Sequence, residues 1–320
     1  MLGQDTAELP GGDRDGSEEG GLNRLRIVLA ASVALLVLGF AACASNENDS
    51  GGETGATGPT ETTGATGATG ASGETGAIPE FTTIQDGVLQ VASCLDYPPF
   101  ESVEGGDQVG FDVDLSEAIA ERLGLTVEWV RADFDTIFTA VAGDQFDMVA
   151  AASTITDERE QVVDFSDPYY NSRQSFAVNT EVTPDLTSTD QLAAGDIVAV
   201  QKGTTGKLWA EENLEPQGVQ LKTFQSATDM FRDLSAGNVV GVVNDEPASA
   251  EIIKDLPEIT LVQAIDTNEH YGFAFSPSNP ELREAANAAL AQIVADGTYA
   301  DIFSRYFPDV EVPPEFQPTA

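Results

Sequence analysis

The chain has 320 residues and a formal net charge of −40 at pH 7, with 54 acidic against 14 basic side chains, two cysteines and one histidine. So large an excess of negative charge excludes a nucleic-acid partner, whose phosphates it would repel. Two cysteines and one histidine cannot build a Cys/His metal centre, and neither a metal nor a cofactor is expected.

Residues 1–26 are polar, and residues 27–43, IVLAASVALLVLGFAAC, carry no charge. The apolar run up to Phe40 suits the core of a signal peptide and is short for a membrane span. Ala41 and Ala42 put small residues before Cys43. The stretch resembles a bacterial lipobox, although Phe40 stands where leucine is usual. Residues 1–42 are therefore expected to be a signal peptide and Cys43 a lipidation site. An uncleaved anchor helix is the alternative, and either exports the rest of the chain. Residues 43–80 are rich in Gly, Thr, Ala and Glu. They hold too little apolar surface to offset their backbone entropy. They read as a disordered tether that keeps a domain off a membrane surface.

The remainder, residues 81–320, is long enough for two lobes with cores of their own. VLQVAS (88–93) reads as a strand leading into the loop CLDYPPF. FDVDLSEAIAERLG has a helical apolar face and a terminal glycine. LTVEWV reads as a strand, FDTIFTAVAGDQ as a helix and FDMVAA (146–151) as a buried strand. The grammar then repeats: DIVAVQ, VQLKTF and VVGVVN as strands, TGKLWAEEN and ATDMFRDLSAGN as helices. YGFAFSP reads as a last strand, and PELREAANAALAQIVADG and TYADIFSRYF as terminal helices. Strands alternating with helices predict parallel α/β sheets, one in each of two units.

In such sheets ligands sit beyond the carboxyl ends of the strands. Four loops occupy that place, at 94–100, 152–156, 202–206 and 244–247, two from each unit. The second contains Ala152, Ser153 and Thr154 and precedes Arg159. Small residues, hydroxyls and an arginine fork suit a carboxylate. The same residues also suit an ordinary helix start, with Thr156 as N-cap and Arg159 on the surface. Asp245, at a strand end, reads as an ammonium partner or as a helix cap. Tyr97 and Phe134 read as ligand aromatics or as core. DVD (112–114) opens like a calcium loop but lacks the glycine and the closing glutamate, and is rejected.

YPPFE, GFDVDL, TITDER, VDFSDPYYNS, QKGTTG, DEPA and ADGTY occur one after another in order. Together they closely resemble the extracellular solute-binding proteins of amino-acid ABC transporters, family 3. The resemblance implies a two-lobed α/β fold of the periplasmic-binding-protein-like type II. Each lobe is expected to be a sheet with helices on both faces. Residues 81–176 with 272–320 would form one lobe and 177–271 the other, joined by crossings near 175–179 and 271–275. It implies that Arg159 forks onto a ligand α-carboxylate, helped by Ala152, Thr154, Thr204 and Thr205. Asp245 would take the α-ammonium, Tyr97 and Phe134 would sandwich the side chain, and Gln201 would face it. Backbone N–H groups of a helix starting near Thr156 would add a favourable field.

Many relatives carry an acid where this chain has Cys94. A thiol cannot supply that charge, and Cys94 reads as a space filler. For a cationic ligand another acid is needed, and Asp96, Glu101, Asp133 and Glu246 are the candidates. The expected partners are an amino acid, the permease subunits of an ABC importer and, through the lipid, a membrane. The expected location is the extracytoplasmic face of the cell membrane, as a monomer without enzymatic activity. Two other classes compete: an exported cyclohexadienyl (prephenate or arogenate) dehydratase on the same fold, and a sensory ligand-binding module. The first needs a general acid, for which only His270 and scattered carboxylates stand out. The second lacks a downstream transmembrane or kinase segment in this chain.

Overall fold

The computed structural model describes residues 77–318. The expected signal peptide, Cys43 and nearly all of the tether lie outside the described residues. The first unit runs β1 (Val88–Ser93), the hairpin β2 (Ser102–Glu104) and β3 (Asp107–Val109), α1 (Phe111–Leu123), β4 (Thr126–Arg131), α2 (Phe134–Ala142), β5 (Met148–Val149) and β6 (Asp164–Phe165). Then come β7 (Tyr170–Asn179), β8 (Ile197–Gln201), α3 (Thr205–Asn213), β9 (Gln220–Phe224), α4 (Ala227–Ser235), β10 (Gly241–Asp245), α5 (Glu246–Ile252) and β11 (Ile259–Tyr271). The chain ends with β12 (Ala274–Phe275), α6 (Pro280–Ala295) and α7 (Thr298–Tyr306).

Two five-stranded sheets result, ordered β4-β1-β5-β12-β6 and β11-β7-β10-β8-β9. Strand alternation sends neighbouring side chains to opposite faces, so each sheet needs cover on both. In the first sheet Leu89 and Val91 pack with Leu115 and Ile119 of α1, whereas Ala92 packs with Ile137 and Val141 of α2. In the second sheet Val198 and Val200 pack with Ala210 of α3, and Ala199 packs with Met230 and Leu234 of α4. The two-lobed α/β fold with helices on both faces of each sheet is thus built from the two sides of β1 and of β8.

The chain leaves the first sheet after Phe165 and is paired with β10 from Gln174 onward. Residues 175–179 therefore lie inside the second sheet, and the first crossing falls earlier than expected. The return runs alongside it. β11 pairs antiparallel with β7 at Glu269↔Ser172, His270↔Asn171 and Tyr271↔Tyr170, after an irregularity between Ile265 and Glu269. Asn268, within that irregularity, has φ 48°. The crossing is packed by aromatic rings, with Phe100, Tyr170 and Tyr271 in mutual contact.

Two departures from the expected elements shape the site. The strand expected over 146–151 is only Met148–Val149. The backbone turns out of the sheet at Ala152, which has φ 45°, a conformation few non-glycine residues adopt. No α-helix starts at Thr156. Thr156 Oγ1 accepts from Arg159 N at 3.2 Å, but the chain then makes only a single 3₁₀ turn, Arg159–Gln161. The helix field expected there is absent, because Val162 bonds back to Arg159 O and the chain enters β6.

Candidate functional site

The four loops at the strand ends line one small cavity. One wall, from the first unit, carries Tyr97, Phe134, Ala152, Thr154 and Arg159. The other, from the second unit, carries Gln201, Thr204, Thr205 and Asp245. Cys94, Glu101 and Ala151 complete the lining. The structure thus brings together all nine residues expected to meet a ligand. It does not bring in three of the candidate acids. Asp96 pairs at 3.5 Å with Arg131, Asp133 is the exposed residue before α2, and Glu246 pairs with Arg173 beside a separate groove. His270 lies in that groove too, its Nδ1 2.7 Å from Asn171 Oδ1.

Arg159 is half-buried and leans on two rings, its guanidinium carbon 5.2 Å from the Phe134 centroid and 4.6 Å from that of Phe138. Nη1 donates to Thr154 O at 2.6 Å and Nη2 to Gly203 O at 3.0 Å, so it touches both walls. Burial lowers its pKa to about 10, against the pull of Asp245 and Glu269, and it stays protonated at neutral pH. The planar fork keeps further N–H donors for a carboxylate. Opposite it, α3 begins at Thr205, after Thr204 as N-cap. First-turn N–H groups have no partner inside their helix and carry partial positive charge. Thr204 itself is occupied, accepting from Lys207 N at 3.2 Å and donating to Gln201 O at 2.8 Å.

Asp245 occupies the N-cap position of α5, yet its side chain makes no capping bond. It turns into the cavity instead. Oδ2 lies 2.9 Å from Tyr97 Oη and 2.6 Å from Tyr271 Oη, and Oδ1 accepts from Gln174 Nε2. Burial, then the nearby Glu269 carboxylate, raises its pKa to about 7 despite these bonds. A cation entering the cavity would oppose both effects by favouring the ionised carboxylate.

Glu101 is 1 % exposed, and neither of its carboxyl oxygens has a hydrogen-bond partner among the described residues. Burial, then the negative charges of Asp112, Asp96 and Asp245, pushes its pKa well above the usual carboxylate range. Its loop is locked by Gly110, whose φ is 143°; a Cβ there would lie 2.0 Å from Phe100 O. Cys94 is buried, and burial followed by the charges of Glu101 and Asp96 raises its thiol pKa, so it lines the cavity as a neutral group.

Sequence reasoning missed four supporting residues. Asp112 is fully buried, and its Oδ2 accepts from Ala152 N at 2.8 Å and from Tyr169 Oη at 2.8 Å, holding the strained turn. Burial raises its pKa to about 7. Its signal was a carboxylate on the apolar face of α1, in line with buried Ser116 and Ile119. Glu269, Tyr271 and Gln174 stand on the crossing strands. Glu269 shares a face with Tyr271 by strand alternation, the one pattern that pointed inward.

The chain matches the profile of the bacterial extracellular solute-binding proteins, family 3, over residues 89–309. It is 31 % identical over 218 residues to ABC transporter arginine-binding protein 1 of Escherichia coli K12, covering 66 % of this chain and 87 % of that protein. It is 30 % identical over 224 residues to the histidine-binding periplasmic protein of Salmonella typhimurium, covering 66 % of this chain and 84 % of that one. Among solved structures it resembles an ancestral arginine-binding protein bound to arginine, with a TM-score of 0.66 and 36 % identity over 69 % of this chain and 98 % of that one.

Proposed function

The chain belongs to the bacterial extracellular solute-binding proteins of family 3, and we propose that it captures a cationic L-amino acid between its lobes and delivers it to the permease of an ABC importer. The charge pattern of the cavity carries this reading. Arg159 and Asp245 stand on opposite walls and suit the carboxylate and ammonium of one zwitterion. That pairing leaves Glu101 as a buried carboxyl group without a partner. Burial favours its neutral acid in the empty cavity, and a cationic ligand side chain beside it would favour the ionised, paired form. Arginine-binding and histidine-binding relatives agree with that class. In this reading Tyr97 and Phe134 flank the side chain, Gln201 faces it, and Ala152, Thr154, Thr204 and Thr205 shape the ends of the clamp. Cys94 fills the space where a charge is not needed.

The same reading places the protein outside the cytoplasm, in keeping with the periplasmic relative. Cys43 carries the lipid anchor, and residues 43–80 form the tether of a monomer.

A thermal-shift screen of the amino acids tests the reading. A ligand at a hundred times its Kd adds about 2.7 kcal/mol of stability. Arginine, lysine, ornithine or histidine should raise the Tm by roughly 5–10 °C at that excess. A shift produced by acidic amino acids or sugars, with none from the cationic set, would sink it.

A further inference from the structure

Glu269 is 5 % exposed and stands on β11 where the chain crosses between the sheets. Four donors converge on it. Oε2 accepts from Thr154 Oγ1 at 2.6 Å and from Thr205 Oγ1 at 2.9 Å. Oε1 accepts from Thr267 Oγ1 at 2.7 Å and from Gln174 Nε2 at 2.9 Å. Thr154 belongs to the loop after β5 in the first sheet, and Thr205 opens α3 beside the second. One carboxylate on the crossing strand therefore holds both sides of the cleft.

A threonine hydroxyl has one proton and two lone pairs. Both cavity-lining hydroxyls send that proton to Glu269, so neither can donate it to a ligand carboxylate. Gln174 Nε2 lies 3.3 Å from the Thr205 oxygen, a third and longer contact for an amide whose two protons meet Asp245 and Glu269. Among the described hydrogen bonds the Thr154 oxygen accepts from no donor, so its acceptor capacity is unused in a residue that lines the cavity. We propose that Glu269 is a positioning residue for ligand capture: by taking the hydroxyl protons of Thr154 and Thr205 from opposite sides of the cleft, it turns the Thr154 oxygen into an acceptor for the ligand's ammonium. The inference rests on the amino-acid reading above. It changes one part of it, since Thr154 then serves the ammonium end through its hydroxyl, and the carboxylate is left to Arg159 and backbone N–H groups.

Glu269→Gln keeps the shape of the side chain but supplies an NH₂ donor, which turns a threonine hydroxyl around. The test is competition calorimetry on the full mature protein, with L-arginine and with its α-hydroxy analogue, 5-guanidino-2-hydroxypentanoic acid. The analogue keeps the carboxylate and the guanidinium and lacks the ammonium. Glu269→Gln should weaken L-arginine by roughly 10–100-fold. It should weaken the hydroxy acid much less, so the preference of amino acid over hydroxy acid narrows about tenfold or more. Thr154→Val, which deletes the hydroxyl with little change of shape, should narrow it in the same direction and serves if Glu269→Gln does not fold. A merely structural role would weaken both ligands alike, and an unchanged preference in both variants overturns the proposal. A wild-type protein that binds none of L-arginine, L-lysine and L-histidine overturns the ligand reading and this inference with it.

Discussion

The hydroxyl of Tyr97, on the loop after the first strand of one sheet, lies 2.9 Å from Oδ2 of Asp245, at the end of a strand in the other sheet. Tyr271, on the strand that crosses between the sheets, reaches the same oxygen at 2.6 Å. Asp245 is thereby oriented from both lobes and from the crossing. It is held in the cavity by neutral donors and forms no ion pair among the described residues, which leaves its carboxyl group open to a cationic ligand group.

Arg159→Ala is expected to abolish measurable amino-acid binding and leave the fold intact. A charge-assisted fork inside a dried cleft is worth about 2–5 kcal/mol. Arg159→Lys should recover little, because an ammonium cannot match both carboxylate oxygens in the plane. Near wild-type affinity of Arg159→Ala by calorimetry, with an unchanged circular dichroism spectrum, would show that the arginine serves only its bonds to Thr154 and Gly203.

Glu101→Gln is expected to weaken L-arginine or L-lysine by roughly 10–100-fold, because the side-chain cation loses its carboxylate. Neutral amino acids of similar length, such as citrulline, should be held as well as before or better. A calorimetric comparison of the two ligands on both proteins reads this directly. An unaltered preference for the cation would move its recognition elsewhere in the cavity.

Binding should weaken in acid. Asp245 titrates at about 7 in the free protein. An ammonium beside it stabilises the carboxylate and lowers that value, so binding below pH 7 must release a proton. Affinity should be flat from about pH 7.5 to 8.5 and fall by up to about tenfold per unit below pH 7. Calorimetry in buffers of differing ionisation enthalpy should detect the released proton at pH 6. Affinity independent of pH between 5.5 and 8 would contradict an ionised Asp245 at the ammonium.

In a bacterial host, mature protein should carry lipid on Cys43 and fractionate with membranes. Cys43→Ser should turn it into secreted protein or uncleaved precursor. Unchanged fractionation, with no mass difference between the two forms, would favour a plain anchor helix.

The regular elements were legible wherever one residue type decided the boundary. TGKLWAEEN forms α3 over Thr205–Asn213, because Thr204 caps its first turn. The α1 helix stops at Gly124, whose φ of 72° suits glycine. The loops that build the cavity were legible too, since they arise from strand–helix alternation. The turn at Ala152 was not. Ala150 and Ala151 read as the end of a strand with a loop from Ala152, but the left-handed turn at Ala152 depends on Asp112, distant in sequence, which accepts from its N–H. The roles of Glu269 and Glu101 were hidden for a related reason. Glu269 lies in a long strand, Ile259–Tyr271, whose register shifts near the crossing, so its face is fixed by pairing with β7. Glu101 was one acid among several after an aromatic loop, and its burial is created by the close approach of Gly110 to Phe100.

The clamp itself is tested most directly by removing one end of the ligand at a time. Titration calorimetry at pH 7.5 should compare L-arginine with agmatine, which lacks the carboxylate, and with 5-guanidinopentanoic acid, which lacks the ammonium. Each analogue keeps the cationic side chain and loses one buried charge-assisted contact. L-arginine should bind, and each analogue should bind at least about a hundredfold more weakly. If either analogue binds within about tenfold of L-arginine, Arg159 and Asp245 do not grip the two ends of one zwitterion, and the account fails.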